Sequence, residues 1–211
     1  MYLVSVNISD GRRLPWRGKE VLTGICKEPV TGRIPIRENG LDGDRQVDTN
    51  VHGGTYKAVY AYGRQHYDWW RQQLGRELPL GMFGENLTIE GLVDDDVCVG
   101  DVFTVGSARL MAVQPRQPCG KLAARFEDEG IVAAFLASGR FGVYFRVQEE
   151  GDVGVGDAVE RVERGPGLVP VPDLARTLDP NRRDPVFLRR ALEVAPLSPG
   201  WAERFRGWLE A

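Results

Sequence analysis

The stretch NLTIEGLVDDDVCVGDVFTVGSARLMAV, from Asn86 to Val113, sets the fold class. It contains four short apolar runs: Asn86–Ile89, Val97–Val99, Asp101–Val105 and Arg109–Val113. Between them lie the aspartates Asp94, Asp95 and Asp96, which read as a solvated loop, and Gly100-Asp101, a tight turn into the next run. Short strands punctuated this closely predict an all-β sandwich or barrel.

The same pattern extends outward in both directions. Upstream are Leu3–Ile8, Glu20–Lys27 and Lys57–Tyr62; downstream are Val143–Val147 and Asp157–Val162. The segments Val99-Gly100-Asp101-Val102 and Val155-Gly156-Asp157-Ala158 look alike, but their spacing is irregular and marks no repeat. Two helical regions interrupt the strands. Gly63–Leu74 places Tyr67, Trp70 and Leu74 at helical spacing, and Cys119–Phe126 followed by Gly130–Ala137 carries the stripe Leu122, Ala123, Phe126.

The pattern changes at GPGLVPVPD, Gly165–Asp173, whose three prolines and two glycines do not continue a strand ladder. We therefore divide the chain into a β domain, residues 1–165, and a C-terminal three-helix unit, residues 166–211. The helices expected there are Pro172–Leu178, one capped by Asp184 with Pro185 at its first position, and one starting at Ser198-Pro199. Their apolar residues, including Leu188, Ala191, Trp201, Phe205 and Trp208, are too few for an independent core. The unit is expected to dock on the β domain or on a partner.

Composition narrows the function classes. Of 211 residues, 42% are hydrophobic and 27% charged, as in a folded globular chain. A net charge of −3 argues against a dedicated nucleic-acid binder. No apolar run approaches the ~20 residues of a membrane span. The start, MYLVSVNISDGRR, reads as a first strand and not as a signal peptide. Three cysteines without a CxxC pair exclude a disulfide framework and disfavour a zinc ribbon or iron–sulfur cluster, and they suit a cytoplasmic setting. With only His52 and His66, a multi-histidine metal site is nearly excluded.

Chemistry concentrates in four segments: Gly40–Gln46 (GLDGDRQ), Val51–Lys57 (VHGGTYK), Phe83–Leu87 (FGENL) and Gln114–Leu122 (QPRQPCGKL). In the last, Cys119 opens a helix behind Pro115 and Pro118, with Arg116 and Lys121 nearby. A helix start and positive charge favour the thiolate, which attacks electrophiles or binds soft metals. The same cysteine also reads as a small buried hydrophobe. Cys26 and Cys98 lie in strand patterns and read as packing. His52 is a base, a ligand, an anion contact or a turn residue, and His66 reads as surface. Arg45 and Lys57 suit a phosphate clamp. Asp42 and Asp44 fit a carboxylate site or a turn equally well.

In this order the segments GLDGDRQ, HGGTYKAVYAY (His52–Tyr62), FGENLTIEGL (Phe83–Leu92), VGDVFTVGSARL (Val99–Leu110) and QPRQPCGKL resemble the MOSC domain family (molybdenum cofactor sulfurase C-terminal domain), and most of all its YiiM-type bacterial members. The tail Phe187–Leu209 is similar to the three-helix domain that follows such domains. The resemblance implies a MOSC-type β-barrel with inserted helices. It also implies a molybdenum cofactor, a pterin dithiolene carrying a phosphate, with Cys119 as the protein ligand to molybdenum. Arg45, His52, Gly53, Gly54, Lys57, Asn86 and Arg116 are implied to hold the pterin and phosphate. The implied reaction is reductive dehydroxylation of N-hydroxylated compounds, such as N-hydroxylated purines and hydroxylamines, with His52 a candidate proton donor beside Cys119. Four cysteines for an iron–sulfur electron source are lacking, so electrons are expected from a separate flavin-containing reductase. Gly120 departs from the bulkier residue expected after the cysteine. A cofactor carrier without turnover is the alternative, and a metal-free hydrolase built on a Cys119–His52 dyad is a third.

Overall fold

A computed structural model describes residues 1–47 and 53–210. Thirteen strands and six α-helices are described. They are β1 (Tyr2–Ile8), β2 (Arg12–Trp16), β3 (Lys19–Thr23), β4 (Glu28–Pro29), β5 (Ile34–Arg37), β6 (Gly40–Leu41), β7 (Val59–Gly63), α1 (Arg64–Leu74), β8 (Leu87–Glu90), β9 (Val102–Val105), β10 (Ala108–Pro115), α2 (Gly120–Phe126), α3 (Ile131–Ser138), β11 (Val143–Glu149), β12 (Gly151–Val153), β13 (Val159–Glu163), α4 (Val171–Arg176), α5 (Pro185–Leu192) and α6 (Pro199–Glu210). Among the described residues no helix is long and apolar enough to cross a membrane.

Eight strands form one mixed sheet in the order β13-β9-β10-β11-β7-β8-β1-β4. Every neighbouring pair is antiparallel except β7 and β8, which are parallel because α1 supplies the crossover between them. The sheet curls until β1 meets the segment before β13. Leu3 N donates to Asp157 O (2.9 Å), Gly156 N to Leu3 O (2.8 Å) and Val159 N to Met1 O (3.0 Å). Only an isolated Tyr2–Ala158 bridge joins these edges, so among the described residues the fold is sheet-rich and curled, without the closed ladder of the expected barrel.

Two apolar clusters fill the interior. One lies on the sheet, with Leu3, Phe103, Leu110 and Phe145, and reaches Leu174, Leu188, Trp201 and Phe205 of the tail. The C-terminal helices thus dock on the sheet, burying the stripe that periodicity assigned to them. Asp184 caps α5 as expected, accepting from Val186 N at 2.9 Å. The second cluster is aromatic, with Tyr62, Trp70, Phe83, Phe126 and Phe135 beneath α1–α3.

Several expectations are corrected. The proline-rich segment carries no ladder, as expected, but does make one isolated bridge. Val99 N donates to Val169 O and Val171 N to Val97 O, both at 2.8 Å. Pro170, opposite Cys98, falls between those bonds, where a missing N–H costs nothing. Val97–Val99 has this bridge and no ladder. His66 and Asp94 are buried, not surface: His66 Nε2 lies 3.0 Å from Asp94 Oδ1, and Gly142 N donates to Asp94 Oδ2 at 2.8 Å. Cys26 and Cys98 are buried, but outside any strand.

Candidate functional site

Cys119 stands where β10 hands over to α2. Pro115 closes the strand, and Cys119 is the residue before the helix, extended at φ −141° and ψ 175°. Its thiol-bearing residue is half-buried, whereas Cys26 and Cys98 are buried. The strand end is fixed from two directions. Ser198 Oγ, just before α6, donates to Gln114 Oε1 at 2.8 Å, and Gln114 Nε2 donates to Tyr56 O at 2.8 Å. Tyr56 lies in the single 3₁₀ turn Thr55–Lys57 that carries Lys57.

Arg116 is buried beside the cysteine. Its Nη1 donates to Phe83 O, its guanidinium carbon sits 5.1 Å from the Tyr60 ring centre, and its Nε has no hydrogen-bond partner. Burial works against its charge, but Tyr144, Tyr60 and the Cys119 thiol together outweigh that and hold the proton more firmly than usual. Ile25, the positive φ and this guanidinium together explain the glycine of FGENL. A Cβ on Gly84, at φ +77°, would stand 2.8 Å from Ile25 Cγ1 and 3.2 Å from Arg116 Nη1.

The opposite wall is a buried ion pair. Lys27 Nζ donates to both carboxylate oxygens of Asp44, and the two side chains are 8% and 5% exposed. Asp44 also accepts from Ser9 N and from Asn86 Nδ2, each at 2.9 Å. Asn86 Oδ1 in turn accepts from Tyr60 N at 3.1 Å. Burial pulls the Lys27 amine below its ordinary value, against the opposing pull of Asp44. Behind this wall Glu85 is fully buried. Its Oε1 accepts from the Tyr67 hydroxyl, from Gly81 N (2.9 Å) and from Thr88 Oγ1 (2.9 Å), while Oε2 has no partner. Burial pushes this carboxyl above the usual range. The Tyr144 phenol is pushed up for the same reason.

Between the walls lies a cleft of about 610 Å³. Arg45, Lys57, Asn86, Arg116 and Cys119, all singled out in the sequence, line it together. Lys27, Asp44, Lys121, Tyr60 and Tyr144 line it as well. Five basic residues face one acidic residue, an arrangement that attracts anions. Asn86 reaches the cleft, but its amide is committed to Asp44 and Tyr60. Gly53 and Gly54 are not part of the lining; Gly54, at φ +88°, donates its N–H to Gln46 Oε1 at 3.1 Å. His52 lies outside the described residues. The sequence reading did not single out Lys27, Tyr60 or Tyr144. Lys27 sits at the end of an apolar run, and nothing local announces that it turns inward to Asp44.

Comparison with known proteins gives the family. The model of the MOSC domain matches residues 48–160. The uncharacterized protein YflK of Bacillus subtilis is 37% identical over 203 residues, 96% of this chain and 92% of its own. A protein of Gibberella moniliformis named a reductase is 34% identical over 151 residues, 70% of this chain but 27% of its own length. The crystal structure of YiiM from Geobacillus stearothermophilus superposes with a TM-score of 0.82 at 32% identity, covering 99% of this chain and 98% of that one. The chain belongs to the MOSC domain family, among its YiiM-like members.

Proposed function

We propose that the protein is a MOSC-type oxidoreductase that binds the molybdenum cofactor in this cleft. It reductively dehydroxylates N-hydroxylated compounds, among them N-hydroxylated purines and hydroxylamines. The observation that carries the proposal is the half-buried Cys119 sharing one cleft with five basic residues. The likeness to a fungal protein named a reductase supports the reaction class. No group of three or more His, Cys, Asp or Glu side chains suited to a metal exists among the described residues. A dithiolene-bound metal brings ligands of its own, which suits a site with one cysteine among the described residues. A soft thiolate suits it, and the unpartnered Arg116 Nε in a basic cleft suits the cofactor's anionic groups.

In this reading Cys119 would hold the metal, and Arg45, Lys57, Arg116 and Lys121 the phosphate and pterin. When bound, the cofactor supplies two-electron chemistry and accepts the substrate's oxygen. The balance is R–NHOH + 2 e⁻ + 2 H⁺ → R–NH₂ + H₂O. The sequence carries no set of four cysteines for a cluster, so the electrons are assigned to a separate flavin-containing reductase. The protein's own residues orient the cofactor and deliver protons. His52 is one candidate donor. The Tyr60 and Tyr144 rings, 4.9 Å apart, give the cleft a rigid aromatic wall.

The test is elemental analysis of protein from a host that makes the cofactor, beside Cys119→Ser, followed by reduction of an N-hydroxylated purine with an added flavoprotein reductase. Near-stoichiometric molybdenum that is lost in the variant, together with turnover, is expected. Molybdenum without turnover favours a carrier, and no molybdenum in either protein overturns the proposal.

A further inference from the structure

The hairpin β2–β3 stands apart from the rest of the fold. Its two strands pair with each other and, among the described residues, with no other strand. Its turn, Arg17-Gly18, has φ +49° and +73°, positive at both central positions, as a two-residue hairpin turn of matching twist requires. The first strand pair is Arg12–Thr23, and a glycine flanks it at each root, Gly11 and Gly24. Both roots pack against the cleft segment Arg45–Val47. A Cβ on Gly24 would stand 2.4 Å from Arg45 O, and one on Gly11, at φ +94°, 3.2 Å from Val47 Cγ2. Past the second root the chain continues straight into the cleft wall, where Thr23, Gly24, Ile25 and Lys27 line it.

The tip of the hairpin reaches the residue after the cysteine. Trp16 Nε1 lies 3.4 Å from where a Cβ on Gly120 would stand, so the indole edge covers the residue that follows Cys119. Arg17 donates from Nε and Nη2 to the two oxygens of Glu129, at 3.1 and 2.7 Å, in the connection between α2 and α3. This forked pair spans 112 residues of chain, and its side chains are 69% and 63% exposed. Below the tip, the half-buried Leu14 and Trp16 rest on the aromatic cluster. The hairpin is therefore held at a narrow glycine-flanked base, by a modest apolar contact and by two solvent-facing ion pairs, Arg12–Glu28 (2.7 Å) at the base and Arg17–Glu129 at the tip.

We propose that the β2–β3 hairpin is a latched lid over the Cys119 end of the cleft, with the Arg17–Glu129 pair as its latch and the Gly11 and Gly24 roots as its hinge. An exposed ion pair contributes little and is screened by salt, so the latch opens readily. Opening the lid admits a molecule to Cys119, and closing it presses Trp16 over Gly120. The inference concerns access to the thiol and stands apart from the reaction proposed above.

The test uses the cofactor-free full chain. Alkylation of Cys119 by iodoacetamide is followed at the peptide level, which separates it from the buried Cys26 and Cys98. Arg17→Ala and Glu129→Gln should each speed alkylation by about two- to five-fold at low salt, the range an exposed pair supports. Both should flatten the salt dependence seen in the wild type, and the exchanged pair Arg17→Glu with Glu129→Arg should restore the wild-type rate. A bulkier maleimide should show a larger gain than iodoacetamide. Glu129→Gln leaves the hairpin untouched and decides the matter if Arg17→Ala misfolds. Hydrogen exchange gives a second readout, with amides of 12–23 exchanging faster than those of 102–105 and faster still in the variants. Unchanged alkylation and salt response in Glu129→Gln, or hairpin amides as protected as those of β9, overturns the proposal.

Discussion

Two basic–acidic pairs, one lining the cleft and one on the hairpin beside it, do opposite work. Lys27–Asp44 is almost fully desolvated, at 8% and 5% exposure, and is locked further by Ser9 N and Asn86. Arg17–Glu129 is better shaped for bidentate bonding but stands mostly in water, at 69% and 63%. Solvent, not chemical identity, sets what each pair contributes. Inside, a charge that loses its partner has no water to turn to, so the pair enforces one geometry. Outside, either partner is solvated as soon as it lets go, so the pair biases a position without fixing it. The inner pair thus fixes its wall of the cleft, and the outer pair leaves the hairpin adjustable.

The largest effect should come from breaking the inner pair. Asp44→Ala leaves the Lys27 ammonium buried and strips the partner from Ser9 N and Asn86 Nδ2, a change expected to cost about 3–5 kcal/mol. Urea unfolding measures it. Replacing both partners, Lys27→Met with Asp44→Leu, should recover much of the loss, since two matched apolar side chains leave no buried charge. A loss below about 1 kcal/mol in Asp44→Ala, as for an exposed pair, would erase the contrast between the two pairs.

Glu85 sharpens the contrast through pH. Burial raises this carboxyl above the ordinary glutamate value. Between that ordinary value and the raised one, the folded protein binds the proton and the unfolded chain does not. The contribution to stability is therefore full at acid pH and is lost as pH rises through the folded-state value. Glu85→Gln keeps the shape without the charge, so its stability should fall less than the wild type's as pH rises above the ordinary glutamate range. Denaturation series at several pH values read this directly, and parallel curves would show that Glu85 binds its proton no more firmly in the folded protein than in the unfolded chain.

The sequence carried the parts of this architecture that local chemistry writes down. Asp184 before Pro185, Cys119 ahead of a helix, and the alternating runs of β9 and β10 are each signalled by residues within a few positions. The hairpin was not legible, because Arg12–Trp16 is RRLPW, a polar run with a proline that no strand pattern favours. It forms a strand only because β3 pairs with it and the aromatic cluster takes Leu14 and Trp16. Asp44 was ambiguous for a real reason, since it does both jobs. Its N–H closes a turn on Leu41 O at 3.0 Å, and its carboxylate enters the buried pair. Asp94 and His66 were misread because a triple-aspartate run and a polar helix look solvated until tertiary packing, here with Gly142 of a distant segment, supplies the partner.

The smallest stability effect should separate local from global events. Arg17→Ala removes a pair worth less than about 1 kcal/mol, so its unfolding midpoint should barely move. A hairpin that pairs with no other strand can open without unfolding the sheet, and openings of that kind have their own free energies, well below the global one. The fraction of a kilocalorie that is minor against global stability is then a several-fold change in how often Cys119 is uncovered. Asp44→Ala should do the reverse, with a large fall in stability, while the lid's latch stays intact. If Arg17→Ala lowered global stability as far as Asp44→Ala does, the hairpin would be part of the cooperative core, and the difference between the two pairs would vanish.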